Sequence, residues 1–259
     1  MRRTGIIALI GFILLALLGI AHGEESRTIP YLPTTELGGA AAYQRSNDCA
    51  QSPYYVHTDW FEACSSDTLT ILSGVRTYQQ TTETTCGPAS ALIVYDYLGG
   101  NTSALDDVAL AGLCNDNDAL YATTLSMLSD IFEALGWRTI SNRALEPVTV
   151  TPKTLYLYID AGFPVIVGWM EWGGHWSVLI GYDTMGTDSF ADDVLIMADP
   201  YDTFDHWQDG YTTVSADLFM SQWLLAADEP GETSVYAPYL VAYPEWLVGQ
   251  LPDTTDLQH

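Results

Sequence analysis

Cys86 stands in the run Thr84-Thr85-Cys86-Gly87-Pro88-Ala89-Ser90, with apolar residues to Leu98 and then Gly99-Gly100. A proline near the start and glycines after the end predict a helix over Pro88 to Leu98 that begins at or just after Cys86. Thr84 or Thr85 is placed to cap it. A thiol there faces the positive end of the helix dipole, which favours the thiolate, the form that attacks a carbonyl carbon. The same helix end offers backbone N–H groups to a tetrahedral oxyanion. Taken alone, such a cysteine is a small apolar residue that happens to start a helix, so the chemistry depends on its partners.

A nucleophilic thiol needs a base. Of the five histidines, His22 falls in the N-terminal apolar segment and His259 at the C-terminal end. His57 lies in an irregular stretch and His206 in a polar loop. His175 follows Gly173-Gly174 at the start of an apolar run, where the glycines leave room for a substrate to reach the imidazole. Asp199 ends a later apolar run, in Met197-Ala198-Asp199-Pro200. If Trp176–Tyr182 and Val194–Ala198 are strands joined by one loop, they pair antiparallel. That loop is centred almost midway between His175 and Asp199, so a simple hairpin sets the two side by side. The carboxylate then orients the ring, the base–orienter arrangement of a catalytic triad. Asp183, Asp192, Asp193 and Asp202 are near in sequence but less squarely placed. Gln79 and Gln80 precede the nucleophile. A side-chain amide from either can donate to an oxyanion, and either is also an ordinary surface-strand residue.

The elements that must hold these groups change character along the chain. Leu105–Leu113, Thr123–Leu135 and Thr154–Ala161 read as helices, the second from its three- and four-residue apolar steps. Pro164–Met170, Trp176–Tyr182 and Val194–Ala198 read as strands, with Glu171-Trp172-Gly173-Gly174 as the turn between the first two. Ile71–Tyr78 reads as a short strand, Phe219–Leu225 as a short helix and Tyr239–Tyr243 as a last strand. Helices followed by an antiparallel sheet make an α+β arrangement. Four segments are expected: 1–23, 24–75 as an N-terminal extension, 76–245 as the catalytic domain and 246–259 as a tail.

Bulk composition narrows the partners. Eight Lys+Arg stand against 33 Asp+Glu, a formal net charge of -25. Nucleic acid is therefore excluded as an expected partner, because phosphate binding needs clustered basic residues. Arg2 and Arg3, the apolar run Gly5–Ile20 and the small-x-small Ala21-His22-Gly23 have the pattern of a secretory signal peptide. Export is the expectation, with membrane attachment only if that segment stays uncleaved. Cys49 and Cys64 are then the natural disulfide pair. No zinc-type Cys/His spacing is present, no cofactor is indicated, and calcium on the acidic loops stays open. Asn101-Thr102-Ser103 matches a glycosylation acceptor.

Tyr78-Gln79-Gln80 followed by Thr85-Cys86-Gly87-Pro88-Ala89 resembles the nucleophile motif of the bacteriocin-processing (double-glycine leader) peptidases, which are papain-like cysteine peptidases. Gly162–Val167, Gly174–Tyr182 and Ala198–Tyr201 resemble that family's later segments, in the same order. The resemblance runs from about Thr77 to Tyr243. It implies a papain-like fold, with Cys86, His175 and Asp199 as the triad and Gln80 in the oxyanion hole. It does not carry over the double-glycine substrate, because leader peptidases proper are fused to transporters and this chain has an export signal instead. The extension 24–75 is left unexplained, as a propeptide or as a clamp on the catalytic domain. The expected activity is hydrolysis of a peptide or amide bond. Two alternatives stay open: acyl transfer by the same groups, and a binding module on a dead scaffold, to which 16 Tyr and 8 Trp would lend contact surface.

Overall fold

The computed structural model describes residues 26–43, 57–114, 122–142, 151–203, 207–226 and 236–253. Six α-helices lie in these segments: α1 (Gly39–Tyr43), α2 (Cys86–Tyr97), α3 (Asp107–Ala111), α4 (Leu125–Ala134), α5 (Pro152–Asp160) and α6 (Ala216–Trp223). Seven strands accompany them: β1 (Leu69–Ile71), β2 (Arg138–Ser141), β3 (Val165–Trp169), β4 (His175–Asp183), β5 (Val194–Ala198), β6 (Tyr211–Ser215) and β7 (Tyr239–Tyr243). The strands form one sheet in the order β2-β7-β3-β4-β5-β6, with β1 added on β4. Every pairing is antiparallel. The expected α+β architecture is therefore present, helices ahead of most of the sheet.

β4 is the centre of this arrangement. Its first half pairs with β3, Trp169 opposite His175, and its second half with β1, Ile71 opposite Gly181. β5 runs along its other edge. Helix α2 packs on β4 and is buried on nearly all sides, with Ala89, Leu92, Ile93 and Val94 inaccessible. A helix apolar all round belongs inside. Each such aliphatic side chain contributes about 1.5–3 kcal/mol on burial, so the helix that carries Cys86 is held rigidly.

Three expectations change. The strand expected over Ile71–Tyr78 is shorter and earlier, at Leu69–Ile71; beyond it only Thr77 makes a bridge, parallel, to Thr28. The boundary at 75 falls inside the packed body, because β1 joins the sheet and Ile29, Phe61, Ile71 and Val75 share the main core. The first residues of the segment expected as a tail from 246 are packed: Glu245–Gln250 is a 3-10 turn, and Leu247 and Leu251 pack against the core. The N-terminal segment 1–23, the end beyond Asp253, Cys49, His22, His206 and His259 lie outside the described residues. Among the described residues no helix is long and apolar enough to cross a membrane.

Candidate active site

Cys86 is the first residue of α2 and is half-buried. The first intrahelical bond runs from Ala89 N–H to the Thr85 carbonyl at 2.9 Å. The N–H groups of Cys86 and Gly87 are thus outside the helical ladder, and Pro88 has none. Thr85 occupies the N-cap position but makes no side-chain cap; its hydroxyl donates to Asp107 Oδ2 at 2.5 Å instead. Gly87 is required by close approach, since a Cβ there would sit 2.5 Å from Thr123 Cγ2. Ser90 Oγ donates to the Trp176 carbonyl at 3.1 Å and Trp176 Nε1 to the Thr123 carbonyl at 2.8 Å. These bonds lock the start of α2 against the start of β4. Gly87→Ala is expected to lower stability by about 1–3 kcal/mol, the usual range for overpacking, read by chemical denaturation.

His175 opens β4 and is only 5% exposed. Its Nε2 is 2.8 Å from Asp199 Oδ1, which leaves Nδ1 as the nitrogen open to Cys86, a neighbour close enough to raise the ring's pKa. The pair forms by a different register from the simple hairpin. β4 and β5 align Val178 with Ala198, and a bulge between Leu179 and Gly181 shifts the pairing. One step further, Asp199 falls opposite Ser177 rather than His175. Residues 175 and 177 lie on the same face of a strand, so the carboxylate reaches the imidazole as a diagonal neighbour. Asp199 is also fixed by its own backbone, N–H to the Gly210 carbonyl at 2.8 Å, and by the Tyr201 N–H to Oδ1 at 2.8 Å.

Burial pulls the His175 pKa down, but the charge of Asp199, the hydrogen bond to it and the one to Cys86 outweigh this and hold it well above the ordinary value. A second carboxyl, Glu171, sits beside the pair and was not singled out by the sequence. It is 6% exposed, and neither carboxyl oxygen has a hydrogen-bond partner. Burial first, and then Asp199, push its pKa up to about 8. The turn that carries it contains Trp172 at φ 47, then Gly173 and Gly174 at φ 92 and 136. That left-handed backbone is natural for the glycines and strained for the tryptophan. The Trp172 ring meets His175 edge-on at 5.5 Å and Tyr201 at 5.2 Å.

The two glutamines do different things. Gln79 braces the site: Nε2 donates to the Asp199 carbonyl at 2.7 Å and Oε1 accepts from Asp202 N–H at 3.0 Å. Gln80 is buried, and its Nε2 donates to the Thr82 carbonyl at 2.8 Å while Oε1 has no partner. It is not among the residues lining the cleft. Its backbone is pinned on both sides, N–H to the Pro200 carbonyl at 2.9 Å and carbonyl to Ala41 N–H at 3.0 Å. The described part of the extension runs behind this segment. Ile29 N–H reaches the Thr77 carbonyl at 2.9 Å and the Tyr31 hydroxyl the Gln79 carbonyl at 3.0 Å. None of it lines the cleft, so its geometry is that of a clamp. Asp107, also missed, holds the same segment from within: it accepts from Thr81 N–H at 2.7 Å, Thr81 Oγ1 at 2.8 Å, Thr85 Oγ1 at 2.5 Å and Tyr78 OH at 3.3 Å.

Cys86 and His175 meet in a cleft of about 340 Å³, walled by Thr123, Trp169, Met170 and Gly174 among others. A family model described as the Peptidase_C39 like family matches residues 72–229. The chain belongs to this family. As a C39-like chain it has a papain-like α+β fold and a cysteine-peptidase type of function, with a peptide as substrate. Among solved structures it is similar to the peptidase domain of Streptococcus mutans ComA, at 19% identity and a TM-score of 0.37, covering 65% of this chain and 98% of that one. No curated protein matches it.

The remaining candidates of this C39-like chain lie elsewhere. His57 faces Asp209 at 3.8 Å and stacks near Trp207. Asp183, Asp192, Asp193 and Asp202 serve as acceptors for Met185 N–H, Thr187 Oγ1, Tyr156 OH and Gly210 N–H. Cys64 is an exposed thiol, and its expected partner Cys49 is outside the described residues. Cys114 is buried at the end of α3, where burial and then Asp130 push its thiol up to about 11.

Proposed function

We propose that the chain is an exported cysteine peptidase that cleaves peptide or amide bonds through Cys86, His175 and Asp199. The observation that carries this reading is the imidazole of His175, held by Asp199 at 2.8 Å on Nε2, with Cys86 beside it in the wall of the same cleft. His175 takes the thiol proton and the thiolate attacks the substrate carbonyl. The backbone N–H of Cys86 holds the oxyanion, and Gln80 joins it as second donor by turning its amide from Thr82 toward the cleft. His175 then protonates the leaving amine, and water releases the acid. The Arg2-Arg3 and Gly5–Gly23 pattern supports export of the mature chain.

The test is a peptide-library digest followed by mass spectrometry, with and without added amines and thiols. Paired new carboxyl and amino ends, absent when Cys86 is alkylated, are the expected products. Acceptor adducts in place of free acids would mark a transferase. No product at all from any library would favour a binding module.

A further inference from the structure

Glu171, His175 and Asp199 are all buried, and one ligand atom from each lies within 4.8 Å of the others. The triad uses two of these side chains. Glu171 has no role in it: its carboxyl oxygens are buried with no hydrogen-bond partner, although a buried polar group without one is strongly disfavoured. Its position is not accidental slack. The Trp172-Gly173-Gly174 backbone is folded through three positive φ angles, and the turn is closed by Gly174 N–H on the Glu171 carbonyl at 2.8 Å. That turn places the buried carboxyl beside the His175–Asp199 pair. Two carboxyls and an imidazole, with one carboxyl unsatisfied, form the donor set of a divalent transition-metal ion, and zinc accepts such N and O ligands.

We propose that Glu171, His175 Nε2 and Asp199 form a zinc site, and that zinc bound there switches the enzyme off. A tetrahedral ion with bonds of about 2.0–2.2 Å sets its ligand atoms about 3.4 Å apart, so the wider gaps, up to 4.8 Å, close while His175 Nε2 and Asp199 part from their 2.8 Å contact. To accept the ion, His175 Nε2 gives up its proton and its hydrogen bond to Asp199. The remaining proton then stays on Nδ1, and the ring no longer takes the proton of Cys86. The ligands are those of the base–orienter side of the triad, so Cys86 itself is not bound. Binding is a property of the three side chains alone, whereas inhibition rests on the peptidase reading.

Co²⁺ is the probe, added to the full chain and followed by its visible and near-ultraviolet absorption. Saturation at one equivalent without a thiolate-to-cobalt charge-transfer band is expected. Glu171→Gln should weaken binding by at least about 10-fold, the smallest effect of losing even an outer-shell partner at a metal site. Zn²⁺ held near the wild-type dissociation constant should slow alkylation of Cys86 in the wild type and slow it much less in Glu171→Gln at the same concentration. If Glu171→Gln does not fold, Glu171→Asp, which withdraws the carboxyl by one methylene, carries the same expectation. A charge-transfer band, an unchanged affinity in the Glu171 variant, or no Co²⁺ bound would each overturn the site. Failure of the peptidase reading is separate: it is seen in metal-free protein, as Cys86 alkylation that His175→Ala does not alter.

Discussion

Replacing either Cys86 or His175 by alanine is expected to lower kcat/KM on a peptide substrate by about 10⁴-fold or more, as in other triads acting as a unit. The double variant should be little worse than either single one. The reason is mechanical. Once the thiol is gone the imidazole has no proton to take, and once the imidazole is gone the thiol has no base within reach, so the second deletion removes nothing that still acts. Neither change should unfold the chain. Cys86 is half-buried at the cleft, and His175→Ala leaves Asp199 still bonded to Gly210 and Tyr201. Additive losses from the two substitutions would mean that Cys86 and His175 do not work together.

Asp107→Ala is expected to have the largest effect on stability. The carboxylate is fully buried and accepts from four donors, all within residues 78–85. Alanine strands the Thr81 backbone N–H and three hydroxyls. A buried unsatisfied donor costs about 1–3 kcal/mol. The hydroxyls can partly re-pair, as Thr85 already contacts Thr82 Oγ1 at 3.0 Å, so a total of about 3–5 kcal/mol is expected. At about 2–4 °C per kcal/mol this lowers Tm by roughly 6–20 °C. Asp107→Asn keeps one acceptor oxygen and should lose less. Because the segment held by Asp107 carries Gln80 and leads into Cys86, both variants should also lower kcat in the folded fraction.

What could be read from the sequence tracks how local the determining forces are. The extent of α2 followed from Pro88 and Gly99, and β7 from the apolar run Tyr239–Tyr243, because local patterning decides both. β2 and β6 were missed. Arg138–Ser141 is a short edge strand with no fully buried residue, and Tyr211–Ser215 is five residues buried mainly at one end, so neither carries a clear period. The pairing of His175 with Asp199 was legible but its register was not, since a bulge at Leu179–Gly181 leaves no mark that hydropathy can show. Thr84 or Thr85 was expected to cap the helix, and Thr85, at the N-cap position, does not. A buried carboxylate from a distant helix competes for that hydroxyl, and it is the stronger acceptor. Nothing in the sequence sets Asp107 and Glu171 apart in so acidic a chain, and only tertiary packing makes them buried. Gln80 was singled out by the family resemblance and not by its own chemistry, while the bracing role of Gln79 depends on the Asp199–Asp202 loop folding over it.

The most direct test of the Cys86–His175 assignment is the rate of iodoacetamide alkylation, read peptide by peptide in the wild type and in His175→Ala. It is best made near pH 6, well below the ordinary thiol pKa of about 8.5. Cys114, with its thiol pushed up to about 11, is the internal control that should stay unlabelled. Rapid labelling of Cys86 that disappears in His175→Ala, with Cys114 silent in both, is the predicted result. Slow labelling of Cys86 at the same rate in both proteins would contradict the assignment and leave the fold without its nucleophile–base pair.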